Sequence, residues 1–147
     1  MINYFHAAEN TLRARGSLDA ALVNLRRRQE AILAANCPGE YQSPDFGKVY
    51  SSAGAINDAL ANCLDLCEVG KEIEATRAAI QEIDQVIRQL EPQEREIIRL
   101  WYIERKAKDE IAAMLNYASN TSLYDLRNKA VAEFAIRYFG AGAIPGI

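Results

Sequence analysis

The stretch from Leu64 to Leu90, LDLCEVGKEIEATRAAIQEIDQVIRQL, decides the fold. Leu66, Ile73, Ile80 and Ile87 recur every seven residues, with Val69, Thr76, Ile83 and Leu90 between them. This spacing is an a/d seam, apolar except at Thr76, and it predicts one long amphipathic helix. Ser51 or Ser52 suits the cap at its start. A helix over 52–90 would run about 58 Å.

Toward the amino terminus, Leu18, Leu22, Leu25 and Ile32 form a second stripe at three-four spacing. They predict a helix over 10–35, with Gly16 kinking or starting it. Between the two helices lies AANCPGEYQSPDFG, where Pro38, Gly39, Pro44 and Gly47 forbid regular structure and predict a loop over 36–50. Residues 1–90 thus read as a helical arm in which the first helix folds back on the second. The first helix is too short to cover the whole seam. Leu66, Ile73, Ile80, Ile83 and Ile87 are therefore expected to meet another subunit, with a dimer as the favoured oligomer. The alternative is that the carboxyl-terminal helices cover the seam within one chain.

Toward the carboxyl terminus, Pro92 opens a new helix, and QERE places acids at its positive end. Ile97, Ile98, Leu100, Trp101 and Ile103 give that helix an apolar face. A second helix turns Ile111, Ala112 and Leu115 inward, and a third turns Leu123, Leu126, Ala130, Val131 and Phe134 inward. Residues 91–139 are the size of a minimal helix-turn-helix unit. The Gly-rich apolar end, 140–147, reads as a flexible tail. The expected class is all-α: a long helical hairpin or coiled-coil arm followed by a compact three-helix unit.

Composition narrows the function. The 147 residues carry a formal net charge of −3, with half of them apolar, which suits a globular chain. The charge is uneven. Residues 1–39 hold five Arg against Glu9, Asp19 and Glu30, and residues 40–91 hold four basic groups against ten carboxylates. Residues 92–147 hold eight basic groups against seven acidic ones. No apolar run is long enough to span a bilayer and no secretory signal is visible, so no membrane partner is expected. Cys37, Cys63 and Cys67 make an odd count without framework spacing, which fits a reducing cytoplasm. Cys63 and Cys67 share a helical face but lack further ligands, since His6 is the only histidine. They are read as buried core residues, and no metal site is expected. With no nucleophile elbow, phosphate-binding glycine loop or metal-ligand set, no catalytic residue and no cofactor are assigned.

The segment from Leu90 to Phe134, LEPQEREIIRLWYIERKAKDEIAAMLNYASNTSLYDLRNKAVAEF, resembles region 4 of bacterial sigma factors. The shared elements are an L-x-P-x-E-R-x-I-I-x-L-x-Y-I-E opening, an E-I-A-x-x-L middle and an S-L-Y-x-L-x-x-K-A-V close. With the arm in front, the chain is similar to phage late-gene regulators of the RinA/ArpU type. That resemblance implies an oligomeric, sequence-specific transcription regulator in a bacterial host cytoplasm, with double-stranded DNA as partner. The third helix of the unit would enter the major groove. Ser119, Asn120, Thr121 and Ser122 would lead it, followed by Tyr124, Arg127, Asn128 and Lys129, with Lys106 and Lys108 on the backbone. Ser119 to Ser122 also offer helix N–H groups to a phosphate, and Asn120 is a candidate cap. Two departures stand out: Asn116 replaces the usual turn glycine, with an extra residue near Ala118, and Asp125 stands where a basic residue is common.

A competing reading is a helical interaction module that contacts RNA polymerase or a phage assembly or packaging component. It draws on the acidic arm, the near-neutral end and Asp125, with Trp101 and Tyr102 as contact residues. DNA binding asks Lys106, Lys108, Arg127, Lys129 and Arg137 to share a face; interleaved Asp109, Asp125 and Glu133 would favour a protein partner.

Overall fold

The computed structural model describes residues 2–36 and 53–146. Among these the chain is all-α, with no strand. The order is α1 (Tyr4–Asn36), α2 (Ala53–Gln89), α3 (Pro92–Ile98) running on as a π-helical turn (Arg99–Ile103), α4 (Lys108–Met114), α5 (Asn120–Phe139) and a 3₁₀ turn (Ala141–Ala143). Asn36 ends α1, while the rest of the expected 36–50 loop, Cys37 and the caps Ser51 and Ser52 lie outside the described residues.

The first helix starts well before Asn10. The Asn3 Oδ1 atom accepts the His6 N–H at 3.1 Å and caps it. The helix also runs straight through Gly16, which neither kinks nor starts it. The glycine serves packing instead. A Cβ there would sit 3.3 Å from the Ile103 carbonyl oxygen, so its absence lets α1 lie close to the π-helical turn.

The chain divides into two compact units, one of Met1–Asp19 with Ala78–Ile147, the other of Ala20–Arg77. This differs from an arm ending at residue 90, because the first half of α1 and the last turns of α2 belong with the carboxyl-terminal helices. In this unit Ala8 and Leu12 of α1, and Ile83 and Leu90 of α2, share one core with Ile97, Ile98, Leu100, Tyr102, Ile111, Leu123, Val131 and Phe134. Removing each large aliphatic side chain from water contributes about 1.5–3 kcal/mol. Arg15 of α1 clasps α2 through a bidentate pair with Asp84, at 2.7 and 2.9 Å. The end of the chain is folded too. After Gly140 (φ +89°) the 3₁₀ turn brings Gly142 onto Tyr4, where a Cβ would lie 3.0 Å from the hydroxyl, and Ala143 packs on the core. Within the stretch expected to be a flexible tail, Gly142 and Ala143 are thus packed against the first unit.

In the second unit Val69 and Ile73 are buried, and Leu66 and Thr76 are half-buried. Leu25 and Ile32 of α1 line one groove with Val69, rimmed by Arg28, Asp65, Glu68 and Glu72. Both units thus sink the seam within a single chain. Ile73 and Ile83, expected at a subunit interface, are buried, while Leu66, Ile80 and Ile87 are half-buried. The opposite face of α2 is the uncovered one, with Leu60 and Leu64 each 58% exposed. Cys63 and Cys67 are exposed beside them, which corrects their reading as core residues. Helical phase gives the reason: they fall in step with Leu60 and Leu64, not with Val69 and Ile73.

Asn116 ends α4 in the left-handed region, at φ +58°. The Tyr117 N–H donates to the Ala112 carbonyl at 2.9 Å, closing the helix end around that residue. Asn116→Ala is expected to destabilise the protein by about 1–2 kcal/mol, and Asn116→Gly to be neutral or stabilising. Urea unfolding of the two variants beside the wild type checks this; equal loss in both would show that the side chain, not the backbone conformation, matters.

Candidate nucleic-acid interface

The amino end of α5 is set by Ser119, whose Oγ accepts the Ser122 N–H at 3.3 Å and lies 3.1 Å from the Ser122 hydroxyl. Ser119 is therefore the cap, and Asn120 is the first residue of the helix. Leu123, Ala130 and Phe134 are buried on one side of α5. Thr121, Asp125 and Asn128 occupy the opposite, exposed side, so Asp125 stands in the middle of the outward face. Asn120, Ser122 and Lys129 are exposed as well.

Tyr124 is half-buried rather than outward. Its ring meets Trp101 edge to face, with centroids 5.5 Å apart. Two cations close on this pair from different helices. The Lys108 Nζ, at the start of α4, lies 4.9 Å from the Tyr124 centroid and 5.9 Å from that of Trp101. The Arg127 guanidinium lies 4.9 Å from Trp101 and 5.5 Å from Tyr124. Each cation–π contact is worth about 0.5–2 kcal/mol, depending on exposure. Neither cation has a carboxylate within ion-pair distance among the described residues. Arg127 Nε is buried without a hydrogen-bond partner in the protein, as is the nearby Tyr102 hydroxyl. Burial pushes the Tyr102 hydroxyl above its ordinary pKa, against the opposing charge of Arg127.

The π-helical turn places Trp101 and Tyr102. Its wide bonds run from the Glu104 N–H to the Arg99 carbonyl (2.8 Å) and from the Lys106 N–H to the Leu100 carbonyl (3.0 Å). Tyr102 is buried, so it cannot be the exposed contact residue that the sequence suggested. Above its ring, at 5.7 Å, lies the guanidinium of Arg13 from α1.

The five cations expected on one face do not gather there. Lys108 and Arg127 converge. Lys106 is 3.9 Å from Glu110, and Arg137 pairs with Glu133 at 3.0 Å. Lys129, 66% exposed, lies 3.9 Å from Glu94, a carboxylate that is only 5% exposed. Sequence reasoning missed Arg13 and Glu94. Arg13 belongs to a helix whose tertiary neighbours no local pattern reveals. Glu94 looks like an ordinary first-turn acid, yet it lies buried where α3 packs on α5.

Among the described residues no cluster of three or more His, Cys, Asp or Glu side chains could hold a metal ion, and no helix is long and apolar enough to cross a membrane. No known protein family, curated protein or solved structure matches the chain.

Burial holds the Glu94 carboxyl above its usual range, opposed by Lys129 and reinforced by Glu91 and Glu133. A carboxyl raised in the folded state favours folding below the ordinary carboxylate range, and that benefit is lost as pH rises through the raised value. At neutral pH the buried charge is therefore a cost, and an ion pair to a well-exposed lysine offsets little of it. Glu94→Gln should be more stable than the wild type at pH 7, with the difference vanishing below about pH 4. Thermal melts of both proteins at the two pH values read this directly; a variant less stable at pH 7 would show that the Lys129 pair outweighs burial.

Proposed function

We propose that this chain is a sequence-specific duplex-DNA-binding regulator, of the phage or prophage transcription type, that acts as an oligomer. One observation carries the reading: Lys108 and Arg127, free of carboxylates in a chain of net charge −3, converge on the Trp101–Tyr124 pair beside the amino end of α5. A phosphate backbone is the polyanion such a pair suits, since neutralising phosphates supplies most of the affinity of DNA binders. The exposed Asn120, Thr121, Ser122 and Asn128 supply amide and hydroxyl groups for base edges, with α5 in the major groove. Asp125 in the same face repels phosphate and can accept from a cytosine amine. A single unit of this kind binds weakly, and joining two on one scaffold raises the local concentration of the second.

The second reading, a protein-contact module, is favoured by the pairing of Lys106, Lys129 and Arg137 with Glu110, Glu94 and Glu133. Ion pairs of that kind leave little net charge for phosphate, and RNA polymerase or an assembly component would then be the partner.

Titration of a labelled duplex from the DNA flanking the gene, at low and moderate salt, separates the two. Lys108→Ala/Arg127→Ala should weaken binding by about 1–3 kcal/mol, roughly 5- to 150-fold in Kd. A folded wild type that ignores duplex at low salt would leave the protein-contact reading standing. Oligomer formation is tested separately by sedimentation equilibrium. Leu60→Glu/Leu64→Glu, on the uncovered face of α2, should shift the protein toward monomer by about tenfold or more in Kd. Unchanged sedimentation would exclude that face as the contact.

A further inference from the structure

We propose that Arg105, which lies outside both α4 and α5, is a phosphate contact for duplex DNA, held in place by α1. The inference rests on the duplex-binding reading above and extends its footprint to the connection between the π-helical turn and α4.

Arg105 adopts a left-handed backbone, at φ +53°. Glycine or asparagine takes that conformation with least strain, so an arginine here is maintained against backbone preference. The flanking bonds of Glu104 to Arg99 and Lys106 to Leu100 fix the backbone on both sides. One Nη donates to the Arg13 carbonyl of α1 at 3.1 Å. A guanidinium has five N–H donors in a rigid fork, so most of them remain open to solvent on an exposed residue. Anchoring one corner orients the rest, which favours the planar two-point grip that arginine makes on phosphate.

Three of the carboxylates around Arg105 are engaged elsewhere, while the exposed Asp109 stands four residues on. Glu9 pairs with Arg13 at 2.7 Å, Glu104 with Arg99 at 2.6 Å, and Glu110 lies 3.9 Å from Lys106. Arg105 itself has no ion-pair partner among the described residues. Arg105 therefore joins Lys108 and Arg127 as a cation without a carboxylate, linked to them through Arg13 and the Tyr102 ring. The rings beneath Lys108 and Arg127 limit how far those two can swing; Arg105 is the member with its fork outward.

The test uses the full chain and a labelled duplex, with Kd followed against salt for the wild type, Arg105→Gly and Arg105→Gln. Glycine relieves the backbone strain and removes the charge; glutamine keeps a donor and removes the charge. Both variants should bind several-fold more weakly at low salt, with a log–log salt slope shallower by about 0.9, the signature of one lost phosphate. Thermal midpoints at or above the wild-type value for Arg105→Gly are expected alongside. Arg26→Ala, an exposed cation of the second unit, should leave the slope unchanged. Wild type that binds while both Arg105 variants keep its slope would overturn the inference and leave the duplex-binding reading intact. A large drop in midpoint in both variants would make Arg105 a structural clamp. Duplex RNA of the same sequence, bound as tightly and with the same Arg105 dependence, would overturn the assignment to DNA. Wild type that ignores duplex altogether removes both readings.

Discussion

The enclosure of one short helix governs the first unit. Between Pro92 and Ile103 the buried residues are Glu94, Ile97, Ile98, Leu100 and Tyr102, which do not fit on a single face. A helix buried on more than one side needs neighbours on each. Here α5 supplies one side, and the first half of α1, through Ala8, Leu12 and the missing side chain of Gly16, supplies another. The π-helical turn at its end is part of the same constraint. It carries Trp101 toward Tyr124 and Tyr102 into the core in successive residues, so the aromatic pair and the buried ring share one piece of backbone.

Charge follows from that packing. Eight basic and seven acidic groups over 92–147 promise almost no field when counted along the chain. In three dimensions they sort. Glu96 and Glu104 are both spent on Arg99, Glu110 and Glu133 on neighbours four residues away, and Glu94 is sunk beneath Lys129. Arg95, Arg105, Lys108 and Arg127 remain without a carboxylate among the described residues, and the last three lie around the aromatic rings and on the side where α1 adds Arg13. A near-neutral segment can therefore keep a local cationic site. The field should be short-ranged, since Asp125 and the ion pairs beside it cancel it within about a Debye length.

Much of the fold was legible in the sequence, and the parts that were not share a cause. The heptad repeat of Leu66, Ile73, Ile80 and Ile87 located α2, and the three apolar clusters after Pro92 located α3, α4 and α5, because periodicity follows burial directly. Asn116 marked the left-handed turn for a local steric reason. Periodicity says that a face is covered and not by what, so Ile73 and Ile83 were assigned to another subunit although both are buried in the chain itself, Ile83 in the core of the first unit. Cys63 and Cys67 were misread for the converse reason: residue type suggested burial where helical phase denied it. At the site, Lys108 and Arg127 were legible from their place in the motif. Arg13, Arg105 and the role of Trp101 depend on contacts between residues far apart in sequence, such as the 92 positions separating Arg13 from Arg105.

The exposed apolar face of the second unit follows from the same economy of partners. A helix with a seam on one side needs one neighbour, and α1 provides it around Val69 through Leu25 and Ile32. Leu60 and Leu64 lie on the far side of α2, where nothing in the chain among the described residues covers them. Two adjacent, largely exposed leucines one helical turn apart are a small patch, short of what a stable interface needs by themselves. Cys63, Cys67 and Lys71 are exposed on the same side of the helix, while Asp65 and Glu68 belong to the rim of the groove that holds Val69. The two sides of α2 therefore differ in character, one apolar and uncovered among the described residues, the other meeting Leu25 and Ile32 of α1 and rimmed with charge.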